Sequence, residues 1–229
     1  MKADLIWHGH STFELHLGSH TVLLDPFLTD NPAANITASD VSPDAIIISH
    51  GHADHVGDTI EIAKLTGAMV IANFEIANWL GNQGVENVHP MHIGGQHKFD
   101  FGTVKLTIAH HGSALPDGSY GGNPAGIILK TAAGTLYFAG DTGLFYDMTL
   151  IGEEGIDTAI LPIGDNFTMG PDDAVKAVKL LKPKRAIPCH YNTWPVIEQN
   201  PQLWVEHVSE ATGSQGIVPQ VGTPLSLFP

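Results

Sequence analysis

Ala45-Ile46-Ile47-Ile48-Ser49-His50-Gly51-His52-Ala53-Asp54-His55 joins an apolar run to four potential metal ligands packed into six residues. The run predicts a strand over 45–49, and the chain must turn where the apolar residues stop. In an extended segment alternate side chains share a face, so His50 and His52 can point at one cation. Beyond the turn, Asp54 and His55 can swing toward a second cation beside the first, while Gly51 and Ala53 keep bulk out from between the donors. Imidazole and carboxylate suit zinc, manganese, iron and nickel, and a divalent ion is the usual reason to crowd them. The competing reading is a solvated loop that caps the next helix, with Asp54 as N-cap.

Working outward, the first third predicts a meander of strands at 5–7, 12–17 and 21–24, stopped by Asp25-Pro26. After 45–49 come a helix over 56–66 ended by Gly67, a strand at 69–72, and a helix over 74–80 with Asn73 as cap and Gly81 as stop. Strands follow at 97–99 and 103–109. The second half repeats the theme, with strands at 126–131, 135–139, 158–163 and 186–188, helices near Asp147 and over 171–181 and 201–211, and a closing strand at 224–228. Two such halves imply an α/β (α+β) fold with two sheets face to face and helices outside. The 229 residues are expected to form one domain, 1–229, with no composition shift to divide it.

Several of these strands end in donors. His110-His111 follow 103–109, Asp141 follows 135–139, and Cys189-His190 follow 186–188. Each alone has an ordinary explanation: an Asx turn for Asp141, a packed strand end for His190. Together with the first cluster they supply seven donors, enough for two ions with three protein ligands each and a carboxylate between them. Neighbours on a strand face opposite ways, so of Cys189 and His190 only one is a ligand. His190 is the choice, with Cys189 a small buried residue. Parity alone does not decide between His110 and His111.

This ordered set resembles the metallo-β-lactamase superfamily of hydrolases, whose pattern His-x-His-x-Asp-His, later His, later Asp, later His is matched along most of the chain. The resemblance implies a four-layer αββα sandwich. It implies that His50, His52 and the later histidine hold one metal, that Asp54, His55 and His190 hold the second, and that Asp141 bridges them. The family's Ala-x-His-Gly/Ser-Ser form picks His111 as that later histidine. Trp7-His8-Gly9-His10-Ser11, Met91-His92-Ile93-Gly94-Gly95 and Pro162 through Gly170 look closest to a branch called simply metal-dependent hydrolases, similar to the ascorbate-6-phosphate lactonase group.

Such a centre has a defined chemistry. Two divalent ions about 3.5–4 Å apart, zinc before manganese, iron or nickel, lower the pKa of a bridging water toward ~7 and yield a hydroxide nucleophile. That hydroxide would cleave an ester, lactone or phosphodiester of a small molecule. Asp54 is the expected catalytic carboxylate, orienting the nucleophile or moving its proton, and His10 an added catalytic candidate near the site. Asp25 is expected to orient a ligand histidine from outside, its alternative being a turn before Pro26. Asn166, Thr168, Tyr191 and Asn192 offer neutral hydrogen bonds to a substrate. The loop 112–126 reads as a lid or as a long surface connection.

Composition excludes other classes. Ten Lys and Arg against 24 Asp and Glu, a formal charge of −14, disfavour nucleic acid and anionic membranes as partners. The start of the chain lacks a signal-peptide pattern, and no 18 apolar residues run together, so a cytoplasmic protein is expected. The sole cysteine excludes an internal disulfide. The only arginine is Arg185, which weakens a sugar phosphate as substrate. Two alternatives remain. A di-iron redox protein of the same fold commonly has Glu where His52 stands, and a non-catalytic metal-binding scaffold would show eroded ligands, whereas all seven are present.

Overall fold

A computed structural model describes residues 2–229 of the chain. The first half builds one sheet from β1 (Ala3–Trp7), β2 (Phe13–Leu17), β3 (His20–Leu24) and β4 (Ala45–Ile47). The short helix α1 (Ala53–Val56) and α2 (Thr59–Thr66) lead to β5 (Met69–Asn73), then α3 (Phe74–Asn82) to the edge strand β6 (Val88–Met91). The second sheet opens with β7 (Gln96–Phe99), β8 (Gly102–Ile108), β9 (Ala125–Lys130) and β10 (Thr135–Phe138). Helix α4 (Met148–Gly152), β11 (Thr158–Pro162), α5 (Pro171–Leu181), β12 (Arg185–Cys189), α6 (Pro201–Ala211) and β13 (Gln215–Gly216) complete it. Strand β14 (Leu225–Ser226) returns to pair with β1.

The two sheets share one plan, orders β14-β1-β2-β3-β4-β5-β6 and β13-β12-β11-β10-β9-β8-β7. In each, a meander of antiparallel strands passes into parallel strands linked through helices. The central parallel strands β4, β5, β11 and β12 are buried on both faces, which is why they read as largely apolar runs. Ala45 and Ile47 enter the core between the sheets, while Ile46 and Ile48 pack against the α2 and α3 side with Ile62, Ile76 and Leu80. The far helices close the second sheet through Val175, Val178, Trp204 and Val208. The result is the four-layer αββα sandwich of the metallo-β-lactamase fold. No helix among the described residues is long and apolar enough to cross a membrane.

The structure corrects some of the predicted elements. The single helix over 56–66 is two, because the chain breaks at Gly57-Asp58. Gly57 has φ +40°, and a Cβ there would collide with the Pro26 carbonyl. Asp58 then accepts backbone hydrogen bonds from Leu28 (2.7 Å) and Thr29 (2.9 Å), so the break fastens the segment after Asp25. Gly81 does not stop α3, which runs to Asn82. Strand β6 escapes sequence reading because it holds His89 and Pro90, and the proline is tolerated where an edge strand needs no donor. β13 has two residues, too short for a periodic signal, and the closing strand expected over 224–228 is the two-residue β14. The loop 112–126 is tied down: Gly51 N donates to Ser113 Oγ (3.0 Å), Ala114 bridges Tyr120, and Leu115 is buried.

Candidate metal centre

In the first sheet β1, β3, β4 and β5 run the same way, and in the second β8, β10, β11 and β12 do. Their C-terminal ends carry His10, Asp25, His50, His111, Asp141 and His190, so strand direction alone collects the polar residues at one rim of the sandwich. A close backbone approach then joins the sheets. Gly140 has φ +60°, and a Cβ there would stand 2.9 Å from Ser49 Cβ. Only glycine lets β10 deliver Asp141 beside the residue preceding His50.

Two groups of donors result. His50, His52 and His111 each offer a ring nitrogen within 4.8 Å of the others; in a second set the ring nitrogens of His10, His55 and His190 and a carboxylate oxygen of Asp54 lie equally close. In the first, His52 Nδ1 lies 3.0 Å from His50 Nε2 and 3.2 Å from His111 Nε2. Asp141 stands between the sets. Its Oδ2 is 3.0 Å from His190 Nε2, 3.5 Å from His111 Nε2 and 4.0 Å from His50 Nε2, and its Oδ1 is 3.4 Å from His55 Nε2. Asp54 Oδ2 is 3.7 Å from His55 Nε2 and 3.8 Å from His190 Nε2. Thus the structure brings together all seven residues singled out in the sequence. His110, by contrast, is exposed and stacks on Phe145 at 4.7 Å.

The outer contacts fix these rings. Asp25 is fully buried; its Oδ2 accepts from His55 Nδ1 (2.7 Å) and Ser49 Oγ (2.5 Å), and its Oδ1 from Ser49 N (2.7 Å). Ser49 Oγ also lies 3.0 Å from His50 Nδ1, so one carboxylate orients a histidine in each set. Asp25, His50 and His55 form a third convergence of donors, but there the histidines present the nitrogens already committed to Asp25 and Ser49. Its role is to set tautomers. His10 is fully buried, with Nε2 3.1 Å from Asp54 Oδ2 and Nδ1 2.7 Å from Thr193 Oγ1.

Electrostatics divide the cluster. Burial, with His55, His111 and His52 nearby, pushes His50 well below the usual imidazole value and keeps the ring neutral. Burial likewise pushes His10 down to about 4, against the pull of Asp54. His55 goes the other way: the carboxylates of Asp141 and Asp25 outweigh its burial and hold it well above the usual value. Burial would raise Asp141, but His190 and His55 carry it well below the ordinary carboxylate range; Asp54 is lowered likewise by His10 and His55. His10, Asp25 and His190 all have positive φ without being glycine (51°, 41° and 53°), backbone strain gathered at the site.

His55 Nε2 and Asp141 Oδ1 are buried without a hydrogen-bond partner. They lie 3.4 Å apart, so their charge attraction offsets part of the cost of burying them, and a cation would satisfy both at once. The donor set is nitrogen and carboxylate oxygen throughout, so the residues present fit divalent metal.

A model of the beta-lactamase superfamily domain matches residues 20–191. The chain is 55% identical over 213 residues to a UPF0173 metal-dependent hydrolase of Bacillus cereus, the match covering 90% of this chain and 93% of the other. The chain belongs to the UPF0173 metal-dependent hydrolases of the β-lactamase superfamily. Among solved structures, this UPF0173 chain is similar to Igni18, a metallo hydrolase of the hyperthermophilic archaeon Ignicoccus hospitalis, at TM-score 0.90 and 34% identity over 98% of both chains. It shares its fold with CmlA, a diiron β-hydroxylase of Streptomyces venezuelae, at TM-score 0.76 and 15% identity over 99% of this chain and 54% of that one.

A cavity of about 610 Å³ opens over this UPF0173 centre, floored by His52, Asp54, His111, Asp141 and His190. Its sides are Phe27, Ala53, Phe167, Trp194 and Val196. Sequence reading missed these walls, because an apolar residue in a loop carries no signal of what it faces. It also misassigned polar neighbours. Asn192 Oδ1 accepts from Gln199 N (2.7 Å) and Tyr191 is buried against Trp7, while Asn166 and Thr168 do not line the cavity. Thr193, unremarked in the sequence, is the residue beside His190 that reaches the site, through His10.

Proposed function

We propose that His50, His52 and His111 hold one divalent ion, that Asp54, His55 and His190 hold a second, and that Asp141 lies between both. The chain then acts as a hydrolase of small-molecule esters, lactones or phosphodiesters. One observation carries the reading: the unpaired atoms of His55 and Asp141 face each other at 3.4 Å inside a ring of further donors. When bound, the ions, zinc first among those this donor set accepts, supply Lewis acidity that activates water near neutral pH and polarises the oxygen of the bond to be cleaved.

The chain's residues do the rest. Asp54 is positioned to orient the attacking water and to receive its proton. His10, neutral and locked between Thr193 and Asp54, keeps that carboxylate aimed. Asp25 and Ser49 hold His50 and His55 in the tautomers that present Nε2 to a metal. Trp194 and Phe27, packed beside His10, exclude water from that flank.

Metal analysis of aerobically purified protein, with hydrolysis of a bis-aryl phosphate and a lactone panel, tests this. The expected result is two ions per chain and turnover lost on chelation and restored with zinc. Oxygen consumption by an iron-loaded form without hydrolysis would move the assignment to redox chemistry. An inert loaded protein would leave a scaffold.

A further inference from the structure

The cavity walls differ in character from its floor. Five polar side chains form the base, while the walls above them are apolar or aromatic: Phe27, Ala53, Phe167, Trp194 and Val196. Among the described residues, no lysine or arginine lines the cavity. Arg185 is buried at the start of β12, donating to Ser226 O (2.5 Å), while His190 follows the other end of that strand. Five residues of strand put them roughly 16 Å apart. Of the lysines, Lys105 and Lys130 are paired with Glu154, Lys184 with Asp157 and Lys176 with Asp173.

Two of the walls are exposed where burial would be expected. Phe167 and Val196 each show 54% of their surface. Phe167 is held there by an unusual loop: Asp165 and Asn166 both have positive φ (61° and 48°), and Asp165 N closes on Met169 O at 3.0 Å. Val196 stands in a short 3-10 turn, Pro195–Ile197, with Trp194 at its cap. Trp194 is braced edge-on against His10 (centroids 5.0 Å) and tilted on Phe27 (6.2 Å). A strained loop and a braced indole present apolar surface to the space above the donors. A substrate group of matching character would bury it.

We infer that the part of the substrate beyond the scissile bond is uncharged and apolar, an aromatic or branched alkyl group seated between Trp194, Phe167 and Val196. The substrate class is therefore an uncharged carboxylic ester or lactone bearing such a group, and not a sugar phosphate. This rests on the hydrolytic reading of the floor. Water adds to the carbonyl carbon, the C–O bond to the alcohol breaks, and the products are a carboxylate, an alcohol and a proton passed through Asp54. A distal phosphate or carboxylate would lose its hydration against these walls with no cation to replace it.

The test uses zinc-loaded protein and a matched series. Phenyl acetate, butyrate and hexanoate report turnover, and the uncleaved amides N-phenylacetamide, N-phenylbutanamide and N-phenylhexanamide report binding by calorimetry. Affinity and kcat/KM are expected to rise about fourfold for each methylene that enters the cavity. The monophenyl ester of glutaric acid, similar in length but ending in a carboxylate, should fall at least tenfold below the hexanoate. Trp194→Ala should flatten the series, and Val196→Lys, an exposed change that leaves the fold intact, should narrow the gap between glutarate and hexanoate. A flat amide series, or equal use of the glutarate ester, overturns the inference even if hydrolysis is fast. A steep amide series with no ester turnover would uphold the apolar seat and sink the hydrolytic reading instead.

Discussion

His55 Nδ1 donates to Asp25 Oδ2 across 2.7 Å, and both side chains are sealed from solvent. The bond leaves His55 Nε2 as the atom facing Asp141, and through Ser49 the same carboxylate steers His50. Asp25→Asn keeps the size, tolerates the positive φ and removes the charge. It should lower metal affinity by about 10–100-fold without unfolding the chain. Chelator competition measures this, and an unchanged affinity would detach Asp25 from the site.

His52 and His110 form a contrasting pair. His52 Nδ1 sits near two other ring nitrogens, whereas His110 stacks on Phe145 with its ring outside the donor set. His52→Ala should lose at least one ion and nearly all turnover; His110→Ala should keep both ions. Elemental analysis of the two variants decides it, and equal loss in both would reverse the choice of His111 over His110.

The candidate donors were legible in the sequence because rare residue types crowd at strand ends; β4 and β10 announce themselves as largely apolar runs, and β8 by its alternation of Val104, Leu106 and Ile108 with Thr103, Lys105 and Thr107. The central strands were legible for the same reason, since two-sided burial leaves Ala45–Ile47 wholly apolar and Thr158–Pro162 apolar but for Thr158. What escaped was set by contacts distant in sequence. The helix break at Gly57 exists because Pro26 passes over it, and the roles of Thr193 and Trp194 appear only once His10, more than 180 residues earlier, is in place. His10 was a candidate in the sequence, yet nothing local distinguishes it from His8 across Gly9, which pairs with Glu14 instead.

His10 lies close enough to Asp54 to be read as a ligand or as the residue that aims the carboxylate, and the two roles separate experimentally. As a positioning residue, His10→Asn should retain two ions and KM while lowering kcat by about 100-fold. The asparagine also suits the positive φ. Loss of one ion in that variant would make His10 a ligand; unchanged kcat with a lowered melting temperature would make it structural.

Asp58 fastens the strap carrying Phe27 through two backbone bonds of 2.7 and 2.9 Å. The side chain is buried, so Asp58→Ala leaves the Leu28 and Thr29 amides without their acceptor. The expected cost is about 3 kcal/mol by urea unfolding. Because the strap also supports one cavity wall, KM for apolar esters should rise with metal content unchanged. A stability loss below about 1 kcal/mol would mean that water replaces the carboxylate.

Metal removal should be felt by the whole fold. Without ions, His55 Nε2 and Asp141 Oδ1 are buried 3.4 Å apart with no hydrogen bond, at a junction that both sheets contribute to. The unfolded chain scatters the seven donors over about 140 positions and cannot reproduce the site, so metal binds the native state selectively. At a free metal concentration 100 times Kd this adds about 2.7 kcal/mol. For a chain of this length that shifts Tm by about 5–11 °C. Thermal melts with and without chelator, then with zinc restored, should show the drop and its reversal. Asp141→Asn should shrink the shift, because the amide keeps the volume but gives up the negative charge that faces both donor sets. Coincident melts for loaded and chelated wild-type protein would mean that the donors do not hold metal in the folded molecule.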